Sequence, residues 1–214
     1  MMSQFIVVEG LEGAGKTNAI NTIKAYLADK PIEVVYTREP GGTFLAEKIR
    51  KLLITSYEEE ALCCESELLL MYASRLQHIK QLIEPALQNN QWVVSDRFNW
   101  SSLAYQGGGR SLGFEKVKAL NDLIMPACFP DLLLYLDIDP ALGLQRAKQR
   151  NALDRIEQET LKFFQRARQI FLDLAKNTAN SIVINAALPI DEVEEIVIKT
   201  VEAFICQLPN TKIN

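Results

Sequence analysis

The octapeptide at residues 10–17, GLEGAGKT, constrains the fold of this chain more than any other stretch. It matches the pattern G-x-x-x-x-G-K-[ST] at every fixed position. The apolar run before it, FIVV at residues 5–8, predicts a buried strand, and residues 18–28 carry apolar side chains at helical spacing. A strand, a glycine-rich turn and a helix in this order predict a phosphate-binding P-loop.

The residues of this loop suit a bound triphosphate. Its glycines let the backbone curl so that successive N–H groups point at phosphate oxygens, and the positive end of the following helix faces the same anion. Lys16 adds a cation near the β- and γ-phosphates, and the Thr17 hydroxyl can hold Mg²⁺. The motif leaves open whether the triphosphate donates its terminal phosphoryl group, is hydrolysed or works as a switch.

Length and charge narrow the class of protein. The chain has 214 residues and no Pro/Gly/Ser-rich linker, so we expect a single α/β domain over residues 1–214. A net charge of -4 lacks the basic excess of a nucleic-acid or anionic-membrane surface, so we expect neither partner. The first residues lack a secretory signal, and no apolar run reaches the ~18 residues of a membrane span, which predicts a cytoplasmic protein.

Strands and helices alternate along the rest of the chain. Apolar and β-branched runs predict further strands at residues 33–37, 91–95, 131–137 and 181–185. Apolar spacing predicts helices at residues 44–54, 66–83, 140–149 and 190–207. Alternation of this kind is typical of a parallel sheet. We therefore predict an α/β fold with a five-stranded parallel sheet and helices on both faces.

Charged residues follow two of these strands, on the side where open α/β sheets bind ligands. Arg38, after the second strand, is either a contact to a second phosphate-bearing ligand or a solvated charge beside a turn. Asp96, after the third strand, can hold Mg²⁺ through water. Arg97 can then grip a phosphate with two hydrogen bonds.

The predicted helix at 66–83 carries an arginine on its apolar face. Arg75 shares that face with Leu68, Met71 and Ile79. Because burying an unpaired guanidinium is costly, Arg75 should meet an anion or carbonyl in a cleft, or extend to the rim. The segment 99–106 is polar and aromatic, which suits a base and a sugar, and the glycines at 107–109 predict a flexible connection.

A charged break at residues 150–157 contains two arginines, Arg150 and Arg155. Such a segment can close over a triphosphate, exclude water and place cations on the transferring phosphoryl group. The other interpretation is a solvated turn between two helices. The sequence of this segment alone leaves both interpretations open.

Motifs along nearly the whole chain resemble those of the bacterial thymidylate kinase family. They are the P-loop segment 5–17, TREPGGT at 37–43, YASR at 72–75, DR at 96–97, AYQG at 104–107, YLD at 135–137 and DRIE at 154–157. The resemblance implies a P-loop fold of the nucleoside-monophosphate-kinase type, usually in a homodimer. It also implies that the protein transfers the γ-phosphoryl group of ATP to dTMP, giving dTDP and ADP, with Mg²⁺ as cofactor.

The resemblance extends to single residues on the ATP side. The implied ATP contacts come from the loop and are Gly10, Glu12, Gly13, Ala14, Gly15, Lys16 and Thr17. Mg²⁺ would lie near Thr17 and Asp96. The implied catalytic set comprises Lys16, Asp96, Arg97, Arg150 and Arg155, the last two in a lid near residues 146–158.

On the dTMP side, the resemblance divides residues among the parts of the nucleotide. Glu12 reaches the sugar 3′-hydroxyl, and Arg38 and Arg97 lie by the phosphate. Arg75 and Ser102 lie by the thymine edge, and Tyr105 lies where a 2′-hydroxyl would clash. Gln106, in the same motif as Tyr105, and Met71, one helical turn before Arg75, complete the implied set.

Three positions distinguish this chain within the resemblance. Ala14 leaves the P-loop without an arginine, and bacterial members with this loop carry their catalytic arginine in the lid. Met71 stands where phenylalanine is usual, so a thioether takes the place of an aromatic ring over the thymine. Asn185 replaces a common aspartate after the last strand.

Two other functions compete with this one. A P-loop GTPase needs an Asn-Lys-x-Asp guanine-binding motif late in the chain, and the sequence contains none. A non-catalytic, ATP-dependent partner-binding protein would also carry a P-loop. It would leave the arginines of the lid and of the second phosphate cluster without a role.

Overall fold

The computed structural model describes residues 2–149 and 154–208. At its centre lies a five-stranded sheet of β1 (Phe5–Gly10), β2 (Val34–Arg38), β3 (Trp92–Asp96), β4 (Leu132–Asp137) and β5 (Ser181–Asn185). Neighbouring strands are parallel throughout, in the order β2-β3-β1-β4-β5. The prediction of a five-stranded parallel sheet is confirmed.

Helices connect the strands. In chain order they are α1 (Lys16–Leu27), α2 (Phe44–Ile54), α3 (Cys64–His78), α4 (Glu84–Gln88), α5 (Asn99–Ser102), α6 (Phe114–Ile124), α7 (Pro140–Lys148), α8 (Leu161–Lys176) and α9 (Ile190–Gln207). Two π-helical stretches, Ile79–Ile83 and Leu103–Gly109, continue α3 and α5. Within residues 2–149 and 154–208, no helix is both long enough and apolar enough to cross a membrane.

Most of the long helices match their predictions, whereas α4, α6 and α8 were missed. The predicted helix at 44–54 is α2, and the one at 66–83 is α3 with its π-helical continuation. The sequence interpretation placed no helix at α6 or α8. A signal for α8 was present, because Phe164, Ala167 and Phe171 are buried and recur at steps of three and four residues.

The glycines at 107–109 are not a flexible connection, so that prediction is wrong. Gly107 and Gly109 are buried in a π-helical stretch that packs against α8. A methyl group at Gly109 would lie 2.5 Å from the ring of Phe163, and one at Gly108 would lie 2.7 Å from Ile170. Glycine fits here because side chains of α8 occupy the space that a Cβ atom at these two positions would need.

The sheet brings the predicted ligand-binding residues to one edge. All six residues of β1 are buried, as expected of a central parallel strand. Val8 of β1 pairs with Asp96 of β3, and Asp96 in turn pairs with Arg38 of β2. Because the carboxyl ends of parallel strands meet at the same edge, the P-loop, Arg38 and Asp96 become neighbours.

Candidate active site

The P-loop joins β1 to α1 in a conformation that needs glycine. Gly13 and Gly15 have φ angles of 75° and 86°, in the left-handed region that other residues avoid. A methyl group at Gly13 would overlap the carbonyl oxygen of Gly143 in α7, and one at Gly143 would lie 2.5 Å from the carbonyl oxygen of Glu12. The loop therefore rests directly on the backbone of α7 and ends at the N-terminus of α1.

Lys16 lies buried across this loop. Its Nζ donates hydrogen bonds to the carbonyl oxygens of Gly10 at 3.1 Å and Leu11 at 3.0 Å, and it lies 3.9 Å from a carboxylate oxygen of Glu12. Burial, together with the positive charge of Arg97, lowers the pKa of the Lys16 amine. An ammonium held in this way is positioned at the phosphate cradle before any anion arrives.

Arg97 and Glu12 form a wall beside the P-loop. Arg97 has a φ of 70° and donates to Gly10 O at 2.9 Å and to Ser101 Oγ at 3.1 Å, while its other terminal nitrogen pairs with Glu12. The guanidinium also lies over the ring of Tyr105, whose hydroxyl is 3.4 Å from Glu12. Burial lowers the pKa of Arg97, but the Glu12 carboxylate, together with Tyr105, Asp96 and Glu9, outweighs burial and raises it, so the guanidinium stays charged.

Arg75 is buried, and each of its three guanidinium nitrogens donates a hydrogen bond to a protein group. Its Nε donates to Glu39 at 2.6 Å, Nη1 donates to Ser102 Oγ at 2.9 Å and Nη2 donates to Phe98 O at 3.0 Å. The guanidinium lies 5.1 Å from the centroid of the Tyr72 ring. Arg75 therefore meets both an anion and a carbonyl of the protein itself, and its predicted contact with a ligand stays a prediction.

Glu39 and His78 complete this network, and sequence reasoning missed both. Glu39 Oε1 contacts His78 Nδ1 at 3.0 Å, and His78 Nε2 contacts Thr37 Oγ1 at 2.7 Å. His78 is the only histidine of the sequence and is fully buried. The TREPGGT motif that carries Glu39 was the available signal, but it does not reveal that its carboxylate orients Arg75.

A pocket opens between Arg75 and the wall formed by Glu12 and Arg97. Met71, Ser102, Tyr105 and Gln106 contribute to its lining, together with Arg75, Arg97, Glu12 and Ile156. Burial raises the pKa of the Tyr105 phenol, which therefore stays neutral. Seven of the eight residues predicted to bind dTMP, all except Arg38, therefore line this one pocket.

A second, more polar region lies between this pocket and the P-loop. It brings Lys16, Thr17 and Arg97 together with Arg38 and Arg50. The Arg38 side chain is 53% exposed and pairs with Glu47 at 3.1 Å, so Arg38 stands at the rim.

Arg50, a further cation of this region, was not predicted from the sequence. Burial and the nearby charge of Arg38 lower the pKa of Arg50, whose Nη1 donates to Pro40 O at 2.8 Å. Four cations line this concave region beside five carboxylates, and the cations can hold an anion with several negative charges.

Asp96 and Thr17 meet in the same region and fit a magnesium ion. Asp96 Oδ1 is buried, and no group within residues 2–149 and 154–208 donates a hydrogen bond to it. An acceptor oxygen without a donor is costly to bury, whereas it suits a cation or its bound water. The described residues contain no cluster of three carboxylate, histidine or cysteine ligands. Mg²⁺ takes one or two protein ligands and fills its other positions with phosphate and water, so one carboxylate and one hydroxyl suffice to hold it.

Glu9, directly before the P-loop, is an acid that the sequence did not single out. It is fully buried in β1, and its carboxylate accepts hydrogen bonds from the backbone N–H of Phe98 at 2.9 Å and from the Ser101 hydroxyl at 2.7 Å. Burial raises the pKa of Glu9 to about 7, against the opposing effect of Arg97. By these hydrogen bonds Glu9 fixes the segment 98–101, which follows Arg97, and so helps to hold the Arg97 backbone in place.

A further pocket lies on the other side of the P-loop. Gly13, Thr17 and Asn18 line it together with Arg146 of α7 and the segment 186–190. Arg146 Nη1 donates to Ala186 O at 2.7 Å. Asn185 Oδ1 accepts from Ala187 N at 3.0 Å, a side-chain turn that aspartate would also form. Asn185 therefore shapes the segment that borders this pocket.

Arg155 is anchored to α2 and α3. Its Nε donates to Leu53 O at 2.8 Å and its Nη2 donates to Glu67 at 2.6 Å. Its backbone N–H also bonds to Ile54 O at 3.3 Å. The solvated-turn interpretation of this residue is wrong, because Arg155 has buried partners on α2 and α3. Arg150, the other predicted lid arginine, lies outside the described residues.

The arrangement can hold two phosphate-bearing ligands on either side of one wall. Glu12 and Arg97 border both the pocket lined by Met71 and Arg75 and the polar region that contains Lys16 and Thr17. The terminal phosphate of a triphosphate in the P-loop would therefore lie next to the phosphate of a nucleotide whose base occupies the pocket of Met71 and Arg75. Holding two reacting groups in line is itself a large part of catalysing phosphoryl transfer.

Comparison with known proteins gives one family. A sequence model described as thymidylate kinase matches residues 8–197. The chain is 52% identical over 195 residues to the thymidylate kinase of Francisella tularensis subsp. tularensis strain WY96-3418, covering 91% of this chain and 93% of that protein. It is 51% identical over 194 residues to that of Francisella philomiragia, covering 91% and 95%. The crystal structure of thymidylate kinase from Ehrlichia chaffeensis superposes with a TM-score of 0.75 at 33% identity, covering 94% of this chain and 99% of that chain.

Proposed function

The chain belongs to the thymidylate kinase family, and from this we propose how its residues divide the transfer of the γ-phosphoryl group of ATP to dTMP. The protein is a phosphotransferase that converts dTMP to dTDP with ATP, and no comparison supports the non-catalytic alternative. The observation that carries the division of roles is the shared wall of Glu12 and Arg97, which borders both ligand regions.

ATP binds on the P-loop side of this wall. Its phosphates accept hydrogen bonds from the loop backbone at Gly13, Ala14 and Gly15, and its base lies in the pocket bordered by Arg146 and the segment 186–190. Lys16 moves from the carbonyl oxygens that it now caps to the β- and γ-phosphates. Because Lys16 is buried, its charge acts on the phosphates with little screening by water.

dTMP binds on the other side of the wall. Its phosphate meets Arg97 and, at the rim, Arg38, while Glu12 accepts a hydrogen bond from the sugar 3′-hydroxyl. Its base enters the pocket of Met71, Arg75, Ser102 and Gln106, and Tyr105 fills the space beside the sugar. Arg75 keeps one N–H on each terminal nitrogen for the base, because each of these nitrogens has so far made one hydrogen bond.

Thr17 and Asp96 would hold the Mg²⁺ that accompanies the bound nucleotide. Asp96 supplies the buried Oδ1 that lacks a donor among the described residues, and Thr17 supplies its hydroxyl. The ion neutralises charge on the transferring phosphoryl group when it is bound. Arg50 and Arg97 add positive charge to the same region without needing to move.

The two predicted lid arginines take different roles. We assign stabilisation of the transferring phosphoryl group to Arg150, because Ala14 leaves the P-loop without an arginine and Arg155 is held by Glu67 and Leu53. Arg155 anchors the C-terminal end of the lid near residues 146–158 to α2 and α3. The anchored end leaves the part around Arg150 to cover the ATP phosphates.

We also propose that the protein works as a cytoplasmic homodimer without nucleic-acid or membrane partners. The net charge of -4 supports the absence of both partners. Leu45 and Leu52 on α2 and Leu69 on α3 are about half exposed, and these two helices pack against each other. Apolar residues on adjoining helices are typical of an interface between subunits.

An assay of ADP release with and without dTMP tests this function. Release should require dTMP, and Lys16→Ala should lower kcat by about 10²-fold or more, the effect of removing one preorganised charge-stabilising group. Lys24→Ala, an exposed change on the same helix, is the matched control and should keep wild-type turnover. ADP release that ignores dTMP, or a Lys16→Ala enzyme with near-wild-type activity, would refute the assignment.

A further inference from the structure

The side-chain amide of Gln106 is satisfied on one side only. Gln106 is 1% exposed and lines the pocket proposed for the thymine base. Its Nε2 donates to Glu67 Oε1 at 2.7 Å. Its Oε1 is buried and accepts no hydrogen bond from residues 2–149 or 154–208. A buried carbonyl oxygen without a donor is costly, so this oxygen is the atom left for a ligand.

Glu67 fixes which end of this amide is free. Its carboxylate is buried on α3 and also accepts hydrogen bonds from Arg110 at 3.0 Å and from Arg155 at 2.6 Å. Burial raises the pKa of Glu67, but the hydrogen bonds from Arg110, Gln106 and Arg155 outweigh it and the net pKa is lowered. The carboxylate therefore stays ionised and can only accept hydrogen bonds.

An ionised neighbour makes the two orientations of the amide unequal. In the observed orientation, the NH₂ group of Gln106 faces the Glu67 carboxylate. Rotating the amide by half a turn would set Gln106 Oε1 against Glu67 Oε1, with two acceptors in contact and no proton between them. Such a contact in a buried site is strongly unfavourable. The orientation at Gln106 is thus decided by Glu67, which does not line the pocket itself.

We propose that Glu67 is a positioning residue that sets the base selectivity of the acceptor pocket through Gln106. With its amide held this way, Gln106 presents an acceptor and so requires a base that carries a ring N–H at the facing position. Thymine has this proton at N3, whereas N3 of cytosine is an acceptor. Gln106 Oε1 would therefore disfavour cytosine, because two buried acceptors that face each other are both left without a hydrogen bond. The inference rests on the proposed function, since it assumes that this pocket takes the base of dTMP.

Glu67→Gln tests the proposal, because it keeps the shape of the side chain and adds an NH₂ donor. Gln106 can then rotate without placing two acceptors in contact. We expect the Kd for dTMP, measured by calorimetry without ATP, to rise about tenfold, equivalent to about 1.4 kcal/mol. The Kd for dCMP should change by less than about threefold. The selectivity for dTMP over dCMP should therefore narrow several-fold.

Glu159→Gln is the matched control. Glu159 pairs with Arg110 in the same cluster, whereas the Gln106 amide donates to Glu67, so this variant weakens the cluster without releasing the amide. Its ratio of Kd values for the two nucleotides should equal that of the wild type. A ratio that narrows as far in Glu159→Gln as in Glu67→Gln would overturn the proposal, because general loosening of the cluster would then be the cause.

A double-variant cycle separates Gln106 from the other partners of Glu67. In a Gln106→Leu background the amide is gone, so adding Glu67→Gln should leave the Kd for dTMP unchanged within about twofold. An equal rise in Kd in both backgrounds would show that Glu67 acts through Arg155 or Arg110, and would overturn the proposal. Thermal unfolding confirms that each variant is folded. If Glu67→Gln is not, Glu67→Asp keeps an acceptor-only carboxylate and should keep the selectivity, and its loss would contradict the mechanism.

The experiment distinguishes failure of this inference from failure of the proposed function. A wild-type protein that binds dTMP no better than dCMP would refute the assignment of the pocket to thymine. A wild-type protein that selects dTMP, together with a Glu67→Gln variant that selects it equally, would refute only the role of Glu67.

Discussion

Replacing Glu39 by glutamine should destabilise the protein through a single buried cation. Glu39 is the only carboxylate that contacts Arg75 among the described residues, and both side chains are 3% exposed. Removing one partner of a buried ion pair typically costs about 3–5 kcal/mol, because the other charge remains buried without its counter-ion. Glutamine keeps an acceptor for Arg75 Nε, and Arg75 keeps Ser102 and Phe98 O. We therefore expect the low end, about 3 kcal/mol.

Urea unfolding and thermal melting measure this effect. For a domain of this size, 1 kcal/mol shifts Tm by about 2–4 °C, so Glu39→Gln should lower Tm by roughly 6–12 °C. The double variant Glu39→Gln, Arg75→Met buries no unpaired charge and should be more stable than Glu39→Gln alone. The KM for dTMP should rise in both, since each disturbs the guanidinium at the base pocket.

An exposed ion pair provides the control for this experiment. Lys80 and Glu84 are 2.7 Å apart on the surface, and Glu84→Gln should cost no more than about 0.5 kcal/mol. If Glu39→Gln loses no more stability than Glu84→Gln, the reasoning is refuted. Arg75 would then be held by its neutral partners, and Glu39 would be free for another task.

Three further predictions concern pH, the base pocket and the lid. The pKa of Glu9 is about 7 in the folded protein against 4.5 ordinarily, so its contribution to stability is complete below pH 4.5 and is lost as pH rises through 7. The Tm of the wild type relative to that of Glu9→Gln should therefore fall between pH 5 and pH 8. A difference in Tm that stays constant over this range would contradict the prediction. Met71→Phe should leave the KM for dTMP equal or up to roughly tenfold lower, whereas Met71→Asp should raise it sharply, and an unchanged KM in Met71→Asp would place the thymine elsewhere. Arg150→Ala should lower kcat by about 10²-fold or more and Arg155→Ala by less than about tenfold, with the reverse order showing that Arg155 leaves Glu67 to reach the phosphates.

The sheet and the phosphate site could be predicted from the sequence because their signals are local. The P-loop is contiguous, and the buried strands are continuous apolar runs that need no knowledge of their neighbours. Arg75 was predicted to lie on an apolar helix face for the same reason, since its neighbours at helical spacing are apolar. In each case the residues that decide the structure lie within a few positions of one another.

The buried carboxylates could not be predicted, because their partners are distant in the chain. Glu39 is 36 residues from Arg75, and Glu67 is 39 residues from Gln106 and 88 from Arg155. A glutamate in a helix or loop is ordinarily solvated. Only the fold shows that these two face cations or amides in the interior. The π-helical stretch that holds Gln106 arises from packing on α8 and has no sequence pattern of its own.

The contact between Gly13 and Gly143 makes α7 and the ATP cradle a single mechanical unit. With no side chain between the two backbones, there is no soft layer that could absorb a displacement of one relative to the other. α7 ends at Lys148, within the segment near residues 146–158 that we propose as the lid. A swing of the lid that tilts this helix would thus be transmitted to the carbonyls and N–H groups around the triphosphate, and the arrival of a nucleotide would be transmitted to the lid by the same route.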